Sequence, residues 1–319
     1  MTVDLSTSLG GARLPAAVLA ASGCGGTGRE LARFVEPASL GALVTPSLTS
    51  RPQPALPGPR LAETPGGVVV APGAPNTGAD RFAADELPWL HERRCRVVVS
   101  ATGSTQGEFA DVAARVRAST GFPAVVGVEL DLVASAPEAA GRPFGSDPVL
   151  AGKVVALVRE RLPRDVPVVP KLAGSPPGLV DVARACLKGG AEALTVTPAI
   201  VADVPGPGPA GPVGDVAGTL CGPAVLPATA HGVRRLHRAM ADGRLRTVPV
   251  LASGGVSTGA DAFRLVLAGA SGVQVGTALL ADPRAVQTVQ AGLADLLQRH
   301  GFTRLRDAVG AAHHQDRSR

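Results

Sequence analysis

Residues 248–282, VPVLASGGVSTGADAFRLVLAGASGVQVGTALLAD, restrict the fold more than any other stretch. Residues 248–252 form a short apolar run, the pattern of a strand buried on both faces, and Ser253, Gly254 and Gly255 break it. Residues 260–268 carry apolar side chains at helical spacing, and Gly269 is the expected stop. Residues 272–275 are a second buried run, closed by Gly276 and Thr277. Glycine turns at the ends of two consecutive parallel strands let backbone N–H groups approach an anion closely. In an eight-fold β/α barrel, the loops after the last two strands are the usual phosphate site. Glycines that only make tight βα turns would give the same spacing, so that alternative stays open.

The rest of the chain repeats the rhythm. Residues 1–16 read as a small hairpin capping the barrel bottom. Strands are expected at 16–21, 42–45, 97–100, 125–130, 166–171 and 193–196, ahead of the two above. Helices are expected at 30–35, 80–93, 108–118, 149–162, 179–188, 232–241 and 284–299. Eight strands alternating with helices predict an α/β fold, a (β/α)8 TIM barrel, as a single domain over residues 1–310. Long loops at 46–78, 133–147 and 197–223 all leave strand C-termini and converge on one face, where barrel active sites lie. The Pro/Gly-rich 203–217 stretch reads equally as an ordered lid or a mobile flap. Residues 311–319 are expected to be a disordered tail, with His313 and His314 in solvent.

Composition narrows function. The net charge of +5 is scattered, and Arg234, Arg235 and Arg238 make one solvated helix face rather than a nucleic-acid site. Tyrosine is absent and Trp89 is the single tryptophan, which argues against base-stacking platforms. Cys24, Cys95, Cys186 and Cys221 form no CxxC pair, so no metal site is expected. No signal peptide and no apolar run long enough for a membrane span is read, and a reduced, cytoplasmic setting fits the cysteines.

Six segments occur in order: ASG at 21–23, PGPRLAETPGG at 57–67, PNTG at 75–78, PVVPKL at 167–172, CGPAVLP at 221–227 and the LAGASGVQVGTALL end of the opening stretch. Together they resemble the FMN-dependent dihydroorotate dehydrogenases of class 1, particularly the type that works with an iron–sulfur electron-transfer subunit. The resemblance implies FMN as cofactor, a small-molecule substrate, that electron-transfer subunit as a possible partner and a homo-oligomer. It places Ala21, Ser22 and Gly23 along the flavin ring and Lys171 at its pyrimidine edge, where a cation stabilises the anionic reduced flavin. Ser47 and Ser100 join the flavin-binding set, Ser100 where asparagine is frequent. Gly222 matches the glycine of a Ser-Gly element, with Cys221 in the serine position. Gly254, Gly255, Gly276 and Thr277 match the phosphate grip.

The substrate side departs from the family pattern. Pro46 stands for a lysine, Leu56, Val70 and Asp131 for asparagines, and Pro198 and Ala199 for an Asn-Thr/Ser pair. Ala134 occupies the position of the cysteine base, whose general-base help is worth about 10²–10⁴-fold. Ser135 is a substitute base only if the loop is shifted; a serine satisfying its own backbone is the plainer reading. Glu129 and Asp131 share a strand face, either as a hydrogen-bonded strand end or as a cation site. Cys24 follows the flavin-facing segment and reads as a small packed residue. Two functions stay open: an oxidoreductase acting on something less polar than orotate, or poorly on dihydroorotate, and a non-catalytic flavin-binding or regulatory barrel.

Overall fold

The computed structural model describes residues 3–55, 57–205 and 216–313. Eight parallel strands close into a barrel in sequential order: Val18–Ala20, Leu43–Val44, Val97–Ala101, Val125–Asp131, Val168–Ala173, Leu194–Thr197, Val250–Ser253 and Gly272–Val275. The eighth strand pairs with the first, Val273 opposite Val18 and Val275 opposite Ala20. The expected (β/α)8 barrel is therefore what the chain forms.

Helices Gln106–Arg117, Pro148–Arg159, Leu179–Lys188, Leu226–Ala241, Gly259–Ala268 and Ala285–Arg299 cover the outside. Their apolar faces and the outward residues of the strands make one continuous core, with Phe109, Val154, Leu236, Leu265 and Leu293 fully buried. The lumen is a separate small core. Leu19, Val44, Val98, Val169 and Leu251 fill its lower part, and Leu9 and Leu14 of the N-terminal hairpin (Thr7–Leu9 with Ala12–Leu14) plug it from below. Above that layer the inward side chains become polar: Ser100, Glu129, Thr195 and Gln274 are all buried. An apolar floor and a polar mouth put the chemistry at the C-terminal ends of the strands.

Four expectations need correction. The helix read at 30–35 is only a 3-10 turn, Leu31–Arg33, followed by a second at Pro37–Ser39. The segment is too short to nucleate a helix, and Pro37 keeps Glu36 extended. The helix read from 232 begins at Leu226, because Pro227 lies in its first turn, where a missing N–H is harmless. The loops at 46–78 and 197–223 hold a four-stranded antiparallel sheet in the order Ile200–Val204, Val216–Cys221, Gly67–Val70, Leu61–Thr64. The tail does not begin at 311: Ala311–His313 is a 3-10 turn, and His313 stacks on His237 at 4.4 Å while its Nε2 meets the Ala268 carbonyl at 2.9 Å. Residues 314–319, the middle of the 203–217 stretch and Leu56 lie outside the described residues. No helix among the described residues is long and apolar enough to cross a membrane.

Candidate active site at the barrel mouth

Glu129 is the centre of the mouth. It points into the lumen from the fourth strand and is fully buried. Its Oε1 receives the Lys171 ammonium at 3.3 Å, and its Oε2 accepts from Thr195 Oγ1 at 2.9 Å and Gln274 Nε2 at 2.7 Å. Burying a carboxylate is costly unless it is paired and hydrogen-bonded, and three donors from three strands meet that requirement. Lys171 lies in register with Asp131, so a second carboxylate faces it. Burial alone would push the lysine down, but Glu129 and Asp131 outweigh it and hold the ammonium above its ordinary value. Lys171 is thus a fixed cation at the mouth, not the solvated strand end a lone lysine suggests.

Asp131 closes the fourth strand and is partly accessible. Its Oδ2 accepts from Ser47 Oγ at 3.2 Å and its Oδ1 from the Val133 N–H at 3.3 Å. Ser47 Oγ also lies 3.0 Å from Ser100 Oγ and 3.5 Å from Ser22 Oγ. The structure therefore gathers Ser22, Ser47, Ser100, Asp131 and Lys171, from five strand ends, into one polar arc. No sequence motif marks Thr195 or Gln274. Each is a lone polar residue inside an apolar run, and that was the available signal.

The glycines fall into two groups. Gly276 adjoins Ala21, whose N–H donates to the Val275 carbonyl at 2.8 Å, and a Cβ on Gly276 would lie 3.3 Å from Ala21 Cβ and 3.6 Å from Cys24 Sγ. Gly23, at φ +84°, is open and exposed beside them. Thr277 follows Gly276, and its hydroxyl makes no capping bond to the short helix Ala278–Ala281. The second group surrounds the start of Leu226–Ala241. Gly255, at φ +85°, packs so closely that a Cβ would lie 2.5 Å from Leu226 N. Gly254, at φ +117°, faces Pro198, and Gly222, at φ +99°, faces Gly67. Tight packing thus accounts for these last three on its own, while Gly23 keeps open space and Gly276 meets only Ala21 and Cys24.

The position expected to carry the base holds Ala134, which has no proton acceptor. Ala134 and Ser135 are exposed, and Ser135 bridges to Pro143 within the loop. Val70 sits in the capping sheet between Leu61 and Thr219. Ala199 takes a left-handed φ of +51° after the sixth strand, next to Pro198. Cys24 and Cys221 lie near enough to Lys171 to feel its charge, yet burial pushes the Cys24 thiol up to about 11 and Cys221 up as well. Neither is poised to accept a proton near neutrality.

The Dihydroorotate dehydrogenase family model matches residues 4–297. The catalytic subunit of dihydroorotate dehydrogenase B (NAD(+)) from Pelobacter propionicus is 36% identical over 314 residues, covering 98% of this chain and 99% of that one. The same subunit from Geotalea daltonii is 34% identical over 309 residues, covering 97% of this chain and 98% of its own. Among solved structures, a dihydroorotate dehydrogenase from Eimeria tenella in complex with ferulenol superposes with a TM-score of 0.79 at 20% identity, covering 97% of this chain and 89% of that one, a likeness of fold. The barrel with its lysine-centred mouth thus belongs to the dihydroorotate dehydrogenase family, and the chain is an oxidoreductase-type member of it.

Proposed function

We propose that the chain is an FMN-dependent oxidoreductase acting on a carbon–carbon bond, with dihydroorotate a poor substrate. The observation that carries the reading is Lys171, held charged by Glu129 and Asp131 beside the Ser22–Ser47–Ser100 arc. The residues present suit a flavin. Gly276, Ala21 and Gly23 leave a shelf of small side chains, and Gln274 Oε1 is buried below it without a hydrogen-bond partner. Ala21, Ser22 and Gly23 would lie along the ring, and Ser47, Ser100 and Lys171 would bind its polar edge. Gly222, Gly254, Gly255, Gly276 and Thr277 would hold the phosphate. When bound, FMN supplies the two-electron acceptor for the oxidation. The relatives are named as catalytic subunits, which supports a separate partner subunit; that it is an iron–sulfur electron-transfer subunit and that the enzyme is a homo-oligomer rest on the family resemblance.

What the chain lacks is help for dihydroorotate. Oxidising that ring takes a hydride from one carbon and a proton from its neighbour. Ala134 has no acceptor for the proton, and Val70, Pro198 and Ala199 offer no side-chain partner to ring amides. A site that leaves such partners unmade discriminates strongly. The missing base also favours a second reading, a flavin-binding barrel without catalysis.

The visible spectrum of the purified protein tests the cofactor. A flavin spectrum is expected, and a colourless protein that takes up no added FMN would sink the proposal. Gly276→Asp is the matching variant. A Cβ there meets only Ala21 and Cys24, at ordinary or slightly tight distance, so the barrel should fold while flavin is lost. Retained flavin would place the phosphate elsewhere. Anaerobic dihydroorotate should bleach the flavin very slowly; fast bleaching would mean that another residue acts as base. Reduction by any other substrate, followed by turnover, would rule out the non-catalytic reading.

A further inference from the structure

The polar arc and the buried Glu129 beneath it hold more carboxylates than ammonium groups. Lys171 is paired with Glu129, which is fully buried and takes two further donors. The lysine is thereby neutralised from inside the barrel. Asp131 is the outer carboxylate, partly accessible, and its two bonds come from the neutral donors Ser47 and Val133 N–H. Among these three groups, two carboxylates and one ammonium sum to one negative charge. An ionised carboxylate accepts at about four lone-pair sites and donates at none. Two of those on Asp131 are used, and the others have no partner among the hydrogen bonds described.

We propose that Asp131 is the specificity-determining residue of this site, and that it selects a neutral or cationic substrate presenting an N–H donor while rejecting carboxylate-bearing ones. This rests on reading the mouth as a flavin-dependent redox site. Like charges brought together raise the free energy of the wrong complex, which is how a site discriminates against a molecule it could otherwise accommodate. A substrate N–H directed at Asp131 makes a charge-assisted hydrogen bond, stronger than a neutral one. A carboxylate in the same place meets an acceptor-only group, and the charge of the nearest cation, Lys171, is already balanced by Glu129.

The test uses the full-length, flavin-loaded protein and two probes of one ring type, orotate and uracil, which differ in the carboxylate. Binding is read from the shift of the flavin absorption bands. The native protein should prefer uracil. Asp131→Asn should raise the affinity for orotate relative to uracil by about tenfold or more, whereas Asp131→Glu, which keeps the charge, should leave the preference unchanged. A native protein that binds orotate as tightly as uracil, or an Asp131→Asn variant with an unaltered ratio, overturns the proposal. Should neither probe shift the bands, quenching of the flavin fluorescence by iodide and acrylamide decides. Asp131→Asn should increase quenching by the anion but not by the neutral quencher, and equal iodide quenching in both proteins overturns the proposal. A protein that takes up no flavin overturns the underlying redox reading, and this proposal with it. A flavin-loaded protein with unchanged selectivity overturns this proposal alone.

Discussion

Lys171 and Glu129 hold each other in a place where neither would be tolerated alone. Glu129 has no exposed surface, and 13% of the Lys171 side chain is accessible. Lys171→Met would leave the carboxylate buried with Thr195 and Gln274 as its remaining donors. Breaking a buried pair from one side costs about 3–5 kcal/mol, and the partial exposure of the lysine puts the expectation at the lower end. Lys171→Met combined with Glu129→Gln should recover most of that loss, because the orphaned charge is gone. Urea midpoints of the two single variants and the double variant measure this; additive losses would show that the two residues act independently. The lysine also predicts a pH signature. Its folded-state pKa is raised above 10.5, so its stabilisation is complete below that value and is lost as the pH rises through the folded pKa. The stability difference between the native protein and Lys171→Met should therefore be level up to about pH 10 and shrink above it.

At the scale of elements, the barrel was legible and the sheet above it was not. The strand ending at Val275 and the helix Leu179–Lys188 are where apolar periodicity puts them, because both are buried by the rule that periodicity encodes. The capping sheet breaks that rule. Its strand Val216–Cys221 reads VAGTLC, and glycine inside a strand usually signals weakness. Here glycine is what lets the strands approach. A Cβ on Gly218 would lie 1.9 Å from the Val70 carbonyl oxygen, and one on Gly67 1.9 Å from that of Cys221. The polar arc was half legible for a similar reason. Lys171 stood out at a strand end, but Thr195 and Gln274 matter only through Glu129, on strands distant in sequence. Gly218→Ala should cost about 1–3 kcal/mol of local stability by forcing the two backbones apart. Hydrogen exchange should then quicken in Gly67–Val70 and Val216–Cys221 and stay unchanged in Val125–Asp131. Exchange rates unaltered in the sheet would show that it absorbs the methyl group without strain.

Across the whole molecule, two layers of burial set the response to alkali. Cys95 and Cys186 lie in the outer core, 2% and 0% exposed, and burial pushes each thiol from 9.0 to about 12. Cys24, at the mouth, is pushed to about 11 by burial and by Cys221. A thiol with a raised folded-state pKa stabilises fully below its unfolded value of 9.0 and loses that contribution as the pH climbs towards the folded value. Each such thiol removes about 1.4 kcal/mol per pH unit in its own window, so three together remove about 4 kcal/mol per unit up to about pH 11, where the Cys24 window closes. Lys171 adds its own loss above 10.5. The lower half of the usual range of domain stability, about 5–10 kcal/mol, would be exhausted within roughly one to three units above pH 9. The chain has no tyrosine, so no phenol titrates in the same range to obscure the effect. Thermal melting followed by circular dichroism should show a level midpoint from neutrality to about pH 9 and a steep fall beyond. Cys95→Ala with Cys186→Ala should lower the midpoint at neutral pH, since two core side chains shrink, yet flatten the fall above pH 9. The two curves should therefore converge at high pH. Parallel curves would mean that the buried thiols do not govern alkaline unfolding.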